Sequence, residues 1–347
     1  MERLEQIQRT LGDVDVRVPD AFRVALGLGN RVSPTPAPGD DDDVADFVAS
    51  LVQPLATESS DDGDPAKEPG AAAPALKIDL GSCYVPLHDH DAHFCHADAG
   101  VFGVADGVGQ YMDDGVDAGA FSRGLMSSAS AEVSGTGPVG TPVYPYSLLE
   151  KAYEKTAASG APGASTAVIL SLIGKSLEWT YIGDSTFAVI RDGKIVFRST
   201  PQQHLTRTSR AKLRFASTPA RRNQHLCSFS DPPFQLSAEA ERSDKVADAQ
   251  VGQVAVRAGD VVVAGTDGLF DNLLDEQLER AVQVGAKLGF SPKNMVDIFA
   301  GVAYERSMQP TSKKLRKGKP DDITVVVAFV LQSDSTYSVD AELPQRA

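Results

Sequence analysis

Cysteine is scarce in this chain: Cys83, Cys95 and Cys227 are the three thiols among 347 residues. An odd, scattered set argues against a disulfide framework and fits a reducing compartment, the cytoplasm first. Basic residues are outnumbered, 33 Lys and Arg against 47 Asp and Glu, for a formal charge of -14. That balance argues against general nucleic-acid binding, because phosphate backbones are gripped by cationic excess. No uninterrupted apolar run approaches the length of a membrane span, and roughly the first thirty residues lack a signal-peptide core. Glu2, Glu5, Asp13, Asp15 and Asp20 interrupt the arginines of that segment, whereas transit peptides are poor in acid.

What is present is enough to build a large core, with 42% hydrophobic residues. Residues 1–75 are the exception. Pro34, Pro36, Pro38, the run Asp40 to Asp43, and Asp61, Asp62, Asp64, Pro65 and Pro69 make a segment with too little apolar surface to offset ordering entropy. Most of it is expected to be disordered, with short helices around Met1 to Gln8 and Val44 to Val52. From Leu76 onward, short apolar runs at hairpin spacing predict strands at Lys77–Val85, Ala92–Cys95, Val101–Ala105, Ser165–Ile173, Leu177–Ile182, Thr186–Arg191, Lys194–Arg198, Gln253–Arg257, Asp260–Ala264 and Ile323–Leu331. Ala-rich or periodic stretches predict helices over Val116–Val133, Tyr146–Ala158, Asp275–Leu288 and Lys293–Arg306. Strands in blocks and helices in pairs indicate an α+β fold of mainly antiparallel sheets. The expected organisation is a domain over 76–332, a tail over 333–347, and a basic insertion at about 205–228. The insertion carries Arg207, Arg210, Lys212, Arg214, Arg221 and Arg222 with no acid among them. A second basic run, Lys313 to Lys319, ends at Pro320-Asp321-Asp322.

Carboxylates recur at strand ends: Asp106 after Val101 to Ala105, Asp184 after Leu177 to Gly183, Asp267 after Val261 to Thr266, Asp321-Asp322 before Ile323, and Asp91 before Ala92. A lone Asp-Gly is more often a hairpin turn, as in Asp192-Gly193 between two apolar runs, and Asp271 or Asp275 could serve as helix caps. Five such segments together point elsewhere. Their carboxylates repel unless a cation holds them, and hard divalent ions such as Mg²⁺ or Mn²⁺ take oxygen ligands of this kind.

The ordered motifs carry a stronger signal. They are Asp91-Ala92-His93-Phe94, Gly103-Val104-Ala105-Asp106-Gly107-Val108-Gly109, Asp114-Gly115-Val116-Asp117 with Phe121-Ser122, Gly163-Ala164-Ser165-Thr166-Ala167, Ile182-Gly183-Asp184-Ser185, Gln202-Gln203-His204, Pro233-Phe234-Gln235-Leu236, Thr266 to Asn272, and Lys319 to Val325. Over about residues 76–332 this resembles the PP2C-type metal-dependent protein serine/threonine phosphatases, most closely their Ptc7-like branch. The resemblance implies a β-sandwich flanked by helices with two Mg²⁺ or Mn²⁺ ions at one end. It also implies hydrolysis of phosphoserine and phosphothreonine on proteins by a water that those ions activate, and a monomer acting on phosphoprotein substrates. By the same resemblance Asp106 bridges both ions, Asp91 and the Gly107 carbonyl serve one, Asp267 and Asp321 the other, and Asp184 matches a position for a third. Asp106 and Asp267 are thereby the expected catalytic residues. Mitochondria and plastids enter as compartments by this resemblance alone.

Three positions depart from the pattern. His90 stands where an acidic residue often precedes the first metal Asp, Val108 where a proton-donating His follows Asp-Gly, and Gln110-Tyr111-Met112 follows the second motif. Rival readings are a zinc site from His88, His90, His93, His96, Cys83 and Cys95, a catalytically silent scaffold, and a phosphatase for small phosphomonoesters. An Asp-nucleophile phosphatase is excluded, because Val104 and Gly265 stand where its nucleophile belongs. The chain also lacks the Cys-Arg spacing of a thiol phosphatase and the Gly-rich Lys-Ser/Thr loop of an NTPase.

Overall fold

The protein is described by a computed structural model over residues 75–135, 141–204, 231–309 and 318–333. The acidic N-terminal segment with its two expected helices, the basic insertion and the C-terminal tail lie outside these residues.

Two five-stranded antiparallel sheets face each other. One has the order β1 (Leu76–Val85), β12 (Ile323–Gln332), β11 (Val261–Gly265), β7 (Thr186–Arg191), β8 (Lys194–Arg198). The other runs β10 (Gln250–Ala255), β6 (Ser176–Ile182), β5 (Ala167–Ile173), β3 (Val101–Ala105), β2 (Ala92–His96). A two-residue pairing of β4 (Ala164–Ser165) with β9 (Leu236–Ser237) completes the set. Helices α1 (Gly119–Gly135) and α2 (Pro145–Ala158) cover the outside of the second sheet. A single turn, α3 (Asp267–Phe270), follows β11, and α4 (Asp275–Lys287) and α5 (Pro292–Ser307) cover the first sheet.

Four layers explain the unbroken apolar runs. In β3 all five residues are buried because both faces are covered: Phe102 and Val104 enter the core between the sheets, Val101 and Ala105 the core under α1 and α2. In β12, Val326 and Ala328 face the other sheet, while Val325 and Val327 pack beneath α5 with Phe299 and Val302. Full burial of a large apolar side chain contributes about 1.5–3 kcal/mol, so these strands are the rigid part of the molecule.

Asp192-Gly193 is the tight turn expected, with φ of 51° and 72° joining β7 to β8. Three expectations are corrected. The strand expected at Gln253–Arg257 begins at Gln250, because it is a largely exposed edge paired with β6, and its apolar pattern is weak. The strand expected from Asp260 begins at Val261. Asp260 is instead a buried carboxylate that accepts from Arg191 Nε at 2.9 Å, Arg191 Nη2 at 2.7 Å and the Arg257 amide at 2.9 Å. The strand expected over Ser165–Ile173 breaks at Thr166, whose hydroxyl accepts from the Asp106 amide at 3.1 Å.

Candidate active site

The C-terminal ends of β3, β6 and β11 and the starts of β2 and β12 meet at one end of the sandwich, where they border a cleft of about 380 Å³. Asp106, Gly107, Asp184, Asp267 and Asp321 line it, together with Asp271, His88, His90, Gln203 and Lys319. One carboxylate oxygen each from Asp106, Asp184 and Asp267 falls within 4.8 Å of the others.

Asp106, Asp184 and Asp91 are held by motifs noted above. The Asp106 carbonyl accepts from the Thr166 amide at 2.9 Å and Ser165 Oγ at 3.0 Å, and Thr166 Oγ1 lies 2.7 Å from Ser185 Oγ. The Gly-Ala-Ser-Thr segment therefore couples the backbone of Asp106 to the side chain of Ser185, the neighbour of Asp184. Gln203 Nε2 donates to Asp184 Oδ2 at 2.9 Å. Asp91, buried at the entry to β2, accepts from Thr266 Oγ1 at 2.7 Å and Thr324 Oγ1 at 2.8 Å on the same Oδ2, so its carboxylate stitches one sheet to the other.

The two neighbouring aspartates before β12 have different tasks. Asp321 faces the cleft. Asp322, 2% exposed, turns the other way and collects the loop that carries Asp91: its Oδ1 accepts from the amides of Leu87, His88 (2.7 Å) and Asp89 (3.2 Å), its Oδ2 from that of His90 (2.8 Å). The same loop is braced from α1, where Ser122 Oγ donates to the His90 carbonyl and Arg123 Nη1 to the Asp89 carbonyl at 2.7 Å. Close backbone approach explains the glycines after two of the aspartates. A Cβ on Gly107 would lie 2.3 Å from the Ala118 carbonyl oxygen, and one on Gly268 would lie 1.9 Å from that of Asp322.

Electrostatics oppose this assembly unless it holds a cation. Burial, and then the charge of Asp322, push the Asp91 carboxyl well above its usual range; burial and then Asp91, Asp267, Asp321 and Asp184 do the same to Asp106. Asp184 and Asp271 are each raised to about 7, by burial first and the Asp267 charge second. Asp91 Oδ1 and Asp267 Oδ1 are buried without a hydrogen-bond partner. One basic side chain enters from the rim. Lys319 Nζ contacts Asp267 Oδ2 and lies 3.1 Å from Asp321 Oδ2 and 3.4 Å from Asp271 Oδ2. An all-oxygen donor set with orphaned buried carboxylate oxygens and an ammonium seated among them fits hard divalent cations.

Sequence reasoning missed Asp271, Gln203 and Lys319 as members of the site. Asp271, for which the sequence offers a helix cap as one alternative, follows α3 with its carboxylate turned to Lys319. The zinc alternative does not assemble among the described residues: His93 Nε2 pairs with Ser82 Oγ at 3.1 Å, His96 Nε2 with Ser130 Oγ at 2.9 Å, and His90 Nε2 lies 3.2 Å from Met112 Sδ. The two flanks of the basic insertion meet at the cleft rim, where the His204 amide donates to the Pro232 carbonyl at 2.8 Å and the Phe234 amide to that of Gln202 at 3.1 Å.

No protein-family profile matches the chain. Putative protein phosphatase 2C 23 of Oryza sativa subsp. japonica is 46% identical over 353 residues, spanning 96% of this chain and 99% of the relative. The protein phosphatase PTC7 homolog of Xenopus laevis is 33% identical over 283 residues, 73% of this chain and 83% of the relative. A solved catalytic domain of the serine threonine protein phosphatase PstP, in complex with 2 manganese ions, superposes with a TM-score of 0.52 over 74% of this chain and 100% of that one; at 21% identity the likeness is one of fold. An identity that runs almost end to end through the rice relative, on a sandwich whose tip gathers the aspartates, makes this chain a member of the protein phosphatase 2C family.

Proposed function

We propose that this phosphatase hydrolyses phosphoserine and phosphothreonine esters on proteins, with two Mg²⁺ or Mn²⁺ ions held by Asp91, Asp106, the Gly107 carbonyl, Asp267 and Asp321, and with Asp184 serving a third. The observation that carries this reading is the convergence of the Asp106, Asp184 and Asp267 carboxylates within 4.8 Å, next to buried carboxylate oxygens that have no partner. Paired divalent ions supply two things in such a site: a hydrolytic water made acidic enough to attack at neutral pH, and positive charge against the phosphoryl oxygens.

The chain's own residues do the rest. Asp106 sits at the centre, and its backbone is fixed by Ser165 and Thr166. Thr266 and Thr324 engage Asp91 Oδ2 and leave its buried Oδ1 without a hydrogen-bond partner. Gln203 orients Asp184. Val108 has no proton to give a leaving alkoxide; His88 and His90 both stand in the cleft wall, and burial lowers the pKa of His90 and favours its neutral form. Retention of the full carboxylate set supports an enzyme over a silent scaffold.

The test is phosphate release from phosphoserine and phosphothreonine peptides with added Mn²⁺ or Mg²⁺, against an EDTA control. Asp106→Ala is expected to be the most damaging single change, with activity lowered by about 10³-fold or more. Equal turnover in EDTA, or in that variant, overturns the proposal.

A further inference from the structure

Lys319 is not among the proposed ligands, yet it sits where two of them point. Its ammonium touches Asp267 Oδ2 and lies 3.1 Å from Asp321 Oδ2, and Asp271 Oδ2 at 3.4 Å closes a third side. The placement is built rather than incidental. The Lys319 amide donates to Asn272 Oδ1 at 3.0 Å, and Asn272 Nδ2 donates back to the Lys319 carbonyl at 2.8 Å and to the Gly268 carbonyl at 2.9 Å. Asn272 is 3% exposed, so this clamp fixes the lysine backbone to the turn that carries Asp267. One step back along the chain, a Cβ on Gly318 would lie 2.2 Å from the Arg306 carbonyl oxygen, so the approach from α5 is pinned as well. The ammonium side chain itself is 27% exposed and has a route out into the cleft.

We propose that Lys319 is a built-in monovalent cation that occupies this end of the cleft until a divalent ion displaces it, so that the lysine sets the ion concentration at which the site fills. The inference rests on the metal reading above. Asp267 and Asp321 cannot give the same oxygens to an ammonium and to an ion at once, so the two compete. Seated, the lysine partly neutralises carboxylates whose mutual repulsion would otherwise loosen the ends of β11 and β12. Displaced, it gives up its charged contacts with Asp267 and Asp321, and that loss weakens ion binding. Such contacts are strong when charged and weaker for their partial exposure; a penalty of roughly tenfold in affinity, about 1.4 kcal/mol, follows.

The experiment uses the full chain stripped with EDTA. Calorimetric titration with Mn²⁺ is combined with thermal unfolding of the stripped and the Mn²⁺-saturated protein, for wild type, Lys319→Met and Lys319→Arg. Lys319→Met is expected to tighten the weakest Mn²⁺ step about tenfold and to lower the Tm of the stripped protein by several degrees while leaving the saturated Tm at or above wild type, because ligand binding adds stability in proportion to its affinity. Lys319→Arg, which keeps the charge, should stay near wild type in both states. If Lys319→Met is unfolded when stripped, recovery of its fold by Mn²⁺ supports the proposal. Wild-type binding with an unchanged or weakened Met variant and an unchanged stripped Tm overturns this inference alone. Absence of Mn²⁺ binding in both proteins overturns the metal reading and this inference with it.

Discussion

Replacing Asp322 separates the site's support from its chemistry. Its carboxylate takes four backbone amides, from Leu87 to His90, while being 2% exposed. Two effects compete when it is removed. The repulsion it exerts on Asp91 disappears, which relaxes a carboxyl held well above its usual range in part by that charge. Against this, the loop loses its common acceptor. Hydrogen bonds to a charged group contribute about 1.5–3 kcal/mol each, and a buried donor left without a partner costs about 1–3 kcal/mol. Leu87 and His88 are half-buried and Asp89 is exposed, so water can repair part of the loss. The deficit expected for Asp322→Ala is therefore ~3–4 kcal/mol, a large share of the ~5–15 kcal/mol that holds most domains folded. Asp322→Asn keeps the shape and one acceptor oxygen but turns an amide toward N–H donors, and about 2 kcal/mol is expected. Urea unfolding at 25 °C reads this as a midpoint lowered by more than about 1 M with an unchanged slope, and Mn²⁺ affinity should fall in parallel because Asp91 loses its fixed position. A midpoint within experimental scatter of wild type for Asp322→Ala, or a gain in stability, would show that charge relief outweighs the four hydrogen bonds and would refute this account of the loop.

Gly268→Ala should lower stability by about 2–3 kcal/mol and lose most Mn²⁺-dependent activity, since the added methyl meets the Asp322 carbonyl oxygen at 1.9 Å between two backbones that cannot both move; an active variant with an unchanged urea midpoint contradicts the stated contact. Changing Arg207, Arg210, Arg221 and Arg222 together to Gln should reduce kcat/KM for phosphopeptides more than for a small aryl phosphate, because the insertion is rooted at Gln203 and Pro232 on the cleft wall. That difference should shrink as salt is raised, as steering by exposed charge does; equal effects on both substrates at low salt would rule out a substrate role for these arginines.

Legibility in the sequence followed how local each cause is. Strands buried on both faces, such as Val101–Ala105, announce themselves as unbroken apolar runs, and the carboxylate at the tip of each could be named from its neighbours alone. The edge strand at Gln250–Ala255 was misplaced because its one-sided burial leaves no such run. Neighbouring residues do not tell Asp321 from Asp322, and the family resemblance alone singles out Asp321; the return of β12 beside β1 turns one to the cleft and the other to the Leu87–His90 amides. Lys319 looked like the last residue of a basic run, and nothing nearby in sequence shows that Asn272, in another turn, would clamp it against Asp267. Thr166 read as one more strand residue, though its hydroxyl is what interrupts the ladder to hold Asp106.

The paired amides at Gln202–His204 and Pro232–Phe234 have a consequence for how this enzyme can change. Because the chain leaves and re-enters the sandwich at hydrogen-bonded neighbours, whatever is spliced between them need only close a gap that is already closed. The entropic cost of that closure rises only with the logarithm of length, about 0.6 kcal/mol per doubling. Length and charge can therefore be exchanged between these neighbours while Gln203 keeps its grip on Asp184.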